Sequence, residues 1–158
     1  MAQKVHVFCV PFPGAGHAVN MFNAALTIAN HEIITHVLVM SMKEAERWMK
    51  ATGQDDNPNT QLELLANGKW EDWHPEEPRE LVMQVRSPEF DQAVRATIED
   101  VKRRFPADRA TALVCNALMG TMPELAKAYR LQLYILQPTA SESISLSDAM
   151  YYVLHKTP

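Results

Sequence analysis

The sequence predicts an α/β protein built on an open, doubly wound parallel sheet of about five strands. Short runs rich in β-branched residues alternate with stretches whose apolar residues recur at helical spacing. The predicted order is βαβαβ, then a long segment with a helix, then βαβα, and right-handed crossovers would lay these strands in one sheet. The chain has 158 residues, so we expect one domain spanning 1–158.

The first half of the chain is expected to alternate strands and helices. Its predicted strands are Val5 to Val10, Ile33 to Met40 and Gln61 to Leu65. A helix from about Ala18 to Asn30 has apolar residues on one face, and a second helix follows Ser41, whose side chain can cap it. The segment from Ala66 to Pro78 is interpreted as a long loop, and such loops within compact domains are often functional.

The second half of the chain contains three further helices and two strands before a last predicted helix. A short helix is expected over Arg79 to Val85, and a longer one begins at Ser87-Pro88 and ends at Pro106. Thr121 and Glu124 have the spacing of a capping box. The two strands are Thr111 to Cys115 and Leu131 to Leu136, and the last helix carries Ile144, Leu146, Ala149, Met150, Val153 and Leu154.

Composition excludes several classes of function. A net charge of -4 disfavours nucleic-acid binding, and no apolar run approaches the ~20 residues that span a bilayer. The apolar run at the start is too short for a signal peptide, and the two cysteines are too few and too far apart for a disulfide framework or a zinc site. We therefore expect a cytoplasmic protein that binds neither membrane nor nucleic acid.

The loop Pro11 to His17 contains two glycines but lacks the pattern of a nucleotide site. The third glycine of a dinucleotide fingerprint is replaced by Val19, and no Gly-Lys-Ser/Thr follows, so we expect no cofactor and no metal. His17 is predicted at a helix start, where the helix dipole favours a neutral imidazole that can accept a proton. It is either a general base or a surface histidine near a cap.

Other side chains could line a ligand pocket near this loop. Trp70, Trp73 and His74 could cover an aromatic ligand or simply hold their loop in place, and Met83 could face the same pocket or the core. Cys9 and Cys115 are interpreted as small core residues on neighbouring strands. The remaining histidines show no metal-ligand spacing and are assigned no role; they are His6, His31, His36 and His155.

The segment Val7 to His17, with its Pro-Phe-Pro-Gly-Ala-Gly-His string, resembles the opening of plant-type UDP-glycosyltransferases. Ala112 to Ala117 is similar to the fourth strand of that family, and Leu136 to Ala140 to the turn after its fifth strand. The resemblance implies a Rossmann-like GT-B N-terminal domain, which binds the sugar acceptor. It also implies that His17 deprotonates an acceptor hydroxyl and that Thr139 corresponds to a residue near the sugar donor.

The sequence departs from the family at two points. Asn116 stands where the resemblance implies an aspartate that orients the histidine, and an amide cannot stabilise an imidazolium by charge. Glu142 or Asp148 could supply the missing carboxylate. The donor-binding C-terminal domain has no counterpart in these residues. The predicted site thus comprises His17 and Asn116 as catalytic residues, with ligand contacts from Phe12, Gly16, Trp73, Met83, Thr139, Glu142 and Asp148.

Three functions remain open at this stage. The first is a binding protein for a phenolic, flavonoid-like or other planar apolar compound, with sugar-independent isomerase, cyclase or lyase chemistry at His17. The second is a glycosyltransferase fragment or subunit that acts only with a donor-domain partner. The third is a non-catalytic interaction module. An open sheet edge also predicts a homodimer.

Overall fold

A five-stranded, fully parallel sheet forms the centre of the molecule and confirms the predicted fold class. The structure is a computed structural model that describes residues 3–53 and 57–137, and its strand order is β3-β2-β1-β4-β5. Each strand lies within two residues of its predicted position. The strands are β1 (Val5–Val10), β2 (Ile33–Val39), β3 (Thr60–Leu64), β4 (Arg109–Asn116) and β5 (Gln132–Leu136).

Five α-helices connect these strands. They are α1 (Ala15–Ile28), α2 (Met42–Ala51), α3 (Pro78–Gln84), α4 (Pro88–Arg104) and α5 (Met122–Tyr129), and a 3₁₀ turn covers Leu65–Gly68. Helix α1 begins three residues before the expected start, because the Gly14 carbonyl accepts hydrogen bonds from the backbone N–H groups of His17 and Ala18 at 3.0 and 2.8 Å. The predicted last helix, with Ile144 to Leu154, lies outside the described residues.

Two predicted helix caps are confirmed, and a third is wrong. The Ser41 hydroxyl accepts a hydrogen bond from the Glu44 backbone N–H at 3.3 Å, and the Ser87 hydroxyl accepts one from Phe90 at 3.1 Å. Thr121 makes no such bond, although α5 begins where expected. Its backbone has φ -94° and ψ -4°, whereas a capping side chain needs an extended backbone to turn toward the next N–H groups.

An apolar core lies on each face of the sheet, which explains why the central strands read as continuous apolar runs. On one face, Phe8 and Leu113 belong to a core that includes Phe90 and Ile98 of α4. On the other face, the core formed with α1 and α2 includes Val7, Cys9, Val37, Val114, Phe22 and Trp48. Within the described ranges, no helix is long and apolar enough to cross a membrane.

The two cysteines lie in the core, as predicted. Cys9 belongs to one face of the sheet and Cys115 to the other, on the adjacent central strands β1 and β4. Both thiols are free, and burial raises the pKa of each to about 12. Because the thiolate is the reactive form, neither side chain is suited to nucleophilic chemistry at neutral pH.

Candidate functional site

The loop after β1 holds His17 in the first turn of α1. Phe12 is buried, and its ring meets the His17 ring edge-on with centroids 5.3 Å apart. Gly14 lies beside both rings: a Cβ there would be 3.4 Å from the Phe12 ring and 4.0 Å from the His17 ring, which are ordinary packing distances. The sequence therefore places a histidine ring against an aromatic ring at the carboxyl edge of the central strand.

His17 is half-buried, and its Nδ1 atom has no hydrogen-bond partner among residues 3–53 and 57–137. In an acid–base dyad this ring nitrogen donates to a carboxylate that fixes the tautomer and stabilises the imidazolium. Within the described chain, no side chain fills that role. The ring is positioned by its contact with Phe12 and by the start of α1.

Asn116, the predicted partner of His17, uses its amide elsewhere. Its Oδ1 accepts a hydrogen bond from the Phe12 backbone N–H at 2.7 Å, and its Nδ2 donates to the Leu136 carbonyl at 3.2 Å. The side chain is almost fully buried at the end of β4. It therefore ties together the carboxyl ends of β1, β4 and β5. A carboxylate could accept from Phe12 but could not donate to Leu136, so an amide suits this position.

A hollow of about 110 Å³ opens beside the β1 loop. We call it the aromatic hollow; it is lined by Pro13, Met40, Ser41, Glu44, Trp70, Trp73, His74, Pro75 and Leu81. Its surface is shared about equally by apolar and polar atoms, and a carboxylate, a hydroxyl and an imidazole supply the polar part. The volume is below the ~150 Å³ cavity that admits benzene, so an aromatic ring seated in the hollow would extend partly beyond it.

The loop that carries the tryptophans is anchored at two points. Trp70 is buried against Phe90, with ring centroids 5.8 Å apart. The Glu71 carboxylate accepts hydrogen bonds from the backbone N–H groups of Met42 and Lys43, at 2.8 and 3.2 Å. These are the first residues of α2, where the helix dipole favours an anion. Sequence reasoning missed Glu71, because nothing in its local pattern links it to a helix nearly thirty residues earlier.

The structure brings together some of the predicted ligand-binding residues and separates others. Trp73 lies in the wall of the hollow next to Pro13, whereas Met83 is 61% exposed on α3 and does not line it. Gly16 is exposed, with open space where a side chain would extend. Thr139, Glu142 and Asp148 lie outside the described residues.

The bridging role of Asn116 leads to a test of stability. Asn116→Asp removes the donor to Leu136 and sets a carboxylate against a carbonyl oxygen, so we expect the free energy of unfolding to fall by about 1–3 kcal/mol. Urea denaturation at pH 7 measures the change. Asn20→Ala, which removes an exposed amide on α1, is the control and should stay within about 0.5 kcal/mol. An Asn116→Asp variant as stable as the parent would rule out the bridge.

Comparison with known proteins identifies the fold through structure alone. No family model matches this chain, and no curated protein matches it in sequence. Among solved structures, a UDP-glucose:anthocyanidin 3-O-glucosyltransferase with bound UDP aligns with a TM-score of 0.67 at 18% identity. That alignment covers 92% of this chain and 32% of the enzyme.

Two further plant enzymes align in the same way. A UDP-glucosyltransferase from Polygonum tinctorium that can glucosylate indoxyl, solved with 3,4-dichloroaniline, matches 100% of this chain and 34% of its own, with a TM-score of 0.66 and 14% identity. Phytolacca americana UGT2, solved with UDP-2-fluoro-glucose and pterostilbene, matches 87% of this chain and 31% of its own, with a TM-score of 0.63 and 14% identity. The chain thus shares its fold with part of the plant UDP-glycosyltransferases. It spans about a third of the length of those it aligns with.

Proposed function

We propose that this chain binds a small, planar, mostly apolar molecule of the phenolic or flavonoid-like class, with the fold of a glycosyltransferase acceptor domain. The observation that carries the proposal is the aromatic hollow, which lies beside Pro13 in the loop that ends at His17. Trp73 offers a ring surface for stacking, and His74 and Glu44 offer polar contacts to a phenolic hydroxyl. We propose a cytoplasmic location, where both cysteines stay reduced.

Acid–base chemistry at His17 is the second part of this proposal. His17 does not line the hollow, but its loop contributes Pro13 to it. A ligand hydroxyl that extends from the hollow to the His17 ring would give up its proton there, which allows an isomerase, cyclase or lyase step without sugar. The unpaired Nδ1 atom supports binding as the primary role, since no carboxylate in the described chain assists the ring. Glu142 and Asp148, in the segment beyond the described residues, remain the candidates for that carboxylate.

Calorimetric titration with pterostilbene tests the binding site. We expect a micromolar dissociation constant for the parent chain and about fivefold weaker binding for Trp73→Ala, because a stacking aromatic surface contributes on the order of 1 kcal/mol. Thermal unfolding of each variant checks that the fold is intact. His17→Ala should bind with little change and should lose any turnover that the parent shows.

A matched aromatic control separates the hollow from other apolar surfaces. Tyr134 is 55% exposed on β5, on the face of the sheet opposite Trp70 and Trp73. Tyr134→Ser should therefore leave binding unchanged. Weaker binding by Tyr134→Ser with normal binding by Trp73→Ala would place the ligand elsewhere. Absence of binding at micromolar concentration, for pterostilbene and for 3,4-dichloroaniline, would refute the proposal.

The second candidate is a UDP-glycosyltransferase fragment or subunit that transfers sugar to a hydroxylated acceptor with a donor-domain partner. It is favoured by the alignment to enzymes solved with UDP or a UDP-sugar, of which this chain spans about a third. In the family that the sequence resembles, the C-terminal domain holds most of the sugar donor. Affinity for the nucleotide sugar would therefore come from residues outside these 158.

Turnover with UDP-glucose tests this candidate. The isolated chain, incubated with UDP-glucose and a hydroxylated stilbene, is expected to form no glycoside above the uncatalysed background, as measured by mass spectrometry. The same chain joined to a glycosyltransferase donor domain is the positive arm. Glycoside formation by the isolated chain would contradict the expectation, and its appearance only in the joined chain would establish the second candidate.

The third candidate is an interaction module that forms a homodimer. It is favoured by an apolar part of the sheet, beside β5, that α1 and α2 do not cover. An apolar depression of about 460 Å³ lies there, lined by Val5, Val7, Ala24, Ile28, Ile33, Thr111, Ala112, Val114, Tyr134, Ile135 and Leu136. Tyr134 and Ile135 are exposed on β5, which is an edge strand. Exposed apolar residues on an edge strand favour association with a second copy.

Light scattering at micromolar concentration tests the dimer. We expect twice the mass of one chain for the parent and a monomer for Ile135→Lys, because a lysine on an edge strand opposes pairing. Lys43→Ala, on the exposed start of α2, is the control and should leave the mass unchanged. A monomeric parent would refute the dimer.

A further inference from the structure

A continuous row of polar side chains crosses the core on the α4 face of the sheet. We call it the two-histidine chain; it consists of Asp108, His6, His36, Glu63 and Arg104. Its successive contacts measure 3.0 Å from Asp108 Oδ2 to His6 Nε2, 2.7 Å from His6 Nδ1 to His36 Nε2, and 2.8 Å from His36 Nδ1 to Glu63 Oε1. Arg104 closes the row at 2.7 Å from the second oxygen of Glu63. The row links β1, β2, β3 and α4.

The two imidazole rings are shielded from water. His6 is 2% exposed and His36 is 0% exposed. The rings are nearly parallel, at 15° with centroids 5.0 Å apart, and Phe105 packs against both of them. An unsatisfied polar atom in such a place costs about 1–3 kcal/mol, so the contacts must be matched donor to acceptor.

Counting hydrogens on the ring nitrogens shows what this matching requires. Each of the three short contacts in the row needs one N–H, and the contacts at both ends point to carboxylate oxygens that only accept. Two neutral imidazoles carry only two N–H groups between them. The third must come either from an additional proton on the rings or from a protonated carboxyl group.

The carboxyl groups do not hold this third proton. Hydrogen bonds from the His6 ring and from the Lys4 backbone N–H lower the pKa of Asp108. Burial acts to raise the pKa of Glu63, but hydrogen bonds from His36 and Arg104 outweigh it and lower that pKa. The two end contacts use one N–H from each ring, so the additional proton lies in the 2.7 Å contact between His6 Nδ1 and His36 Nε2.

We propose that the two-histidine chain is a buried binding site for one proton, which the two rings share across the contact between His6 Nδ1 and His36 Nε2. A second proton is refused, because it would set two N–H groups against each other across 2.7 Å. Loss of the proton is also resisted, because it would leave either two ring lone pairs facing each other across this contact or one ring lone pair facing a carboxylate. The site is independent of the proposed ligand site, since it uses none of the same residues.

The surrounding charges agree with a single proton. Asp108 and Glu63 are negative, Arg104 is positive, and one imidazolium brings the row to neutrality. Asp100 accepts from Arg104 and from Arg103, both at 3.0 Å, so its own charge is balanced on α4. Two further cations face the His6 end: Lys4, which precedes β1 and disfavours a charge on His6, and Lys102, which lines a small cavity beside that ring.

Proton linkage makes stability depend on pH in both directions. In the unfolded chain, two histidines with the ordinary pKa of about 6.5 together carry one proton beyond their neutral forms only near that pH. The folded row carries this one proton at every pH considered. Above this pH the folded state binds more protons than the unfolded state, so stability falls as pH rises. Below it the unfolded state binds more, so stability falls as pH falls. The row therefore contributes a maximum near pH 6.5.

Nitrogen-15 NMR of the histidine rings tests the proposal on the unmodified protein. Between pH 5.5 and 8, we expect three of the four ring nitrogens of His6 and His36 to be protonated, with this number unchanged across the range. His31, whose side chain is 88% exposed, is the internal control and should titrate near about pH 6.5. Titration of His6 or His36 near that pH, or single protonation of both rings, would overturn the assignment.

Urea unfolding across the same pH range gives an independent readout. Between pH 7.5 and 8.5, the unfolding equilibrium constant of the parent should rise nearly tenfold per pH unit, because the folded row holds one proton that the unfolded chain has lost. His36→Gln keeps an amide donor and acceptor but cannot hold the proton, so it should lose this dependence. His31→Gln should retain it. An unchanged slope in His36→Gln would refute the site, and if that variant does not fold, the ring NMR decides alone.

Discussion

Parallel pairing of β1 on both of its edges is the constraint on which the other features depend. The strand bonds to β2 on one side and to β4 on the other, and its alternate side chains enter the cores on both faces of the sheet. Its first residues carry His6 into the two-histidine chain. Its last residues lead into Phe12 and His17. One buried strand therefore positions a polar row at its start and a candidate ligand site at its end.

Asn116 shows how the carboxyl edge of the sheet is held together. Three strands end there, and their loops expose backbone groups that no neighbouring strand can pair. The amide satisfies one N–H and one carbonyl at once, and this leaves His17 without the partner that the family resemblance implies. An amide at position 116 thus gives His17 no carboxylate partner for base catalysis. The same amide holds Phe12, in the loop beside the aromatic hollow, and Leu136, at the end of β5, in place.

Buried and half-buried polar groups recur where separate elements meet. Glu71 attaches the tryptophan loop to the start of α2, and the two-histidine chain attaches three strands to the end of α4. In each case the charge or proton count is matched by the opposing groups, which offsets the cost of removing them from water. These contacts specify which elements lie together, whereas the apolar core mainly favours compactness.

The sequence by itself determined the fold class and most element boundaries, because apolar periodicity, Ser caps and proline breaks are local signals, whereas the strand order came from the structure. It also located His17, Trp73 and His74 by residue type, and the Pro-Phe-Pro-Gly-Ala-Gly-His string indicated the family fold that the structures confirm. Only the tertiary structure decided that Asn116 bonds Phe12 and Leu136, that Met83 faces solvent, and that His6 meets His36. The contacts of Asn116 and of His6 join residues 20 to 104 positions apart, and no local spacing in the sequence encodes such pairs.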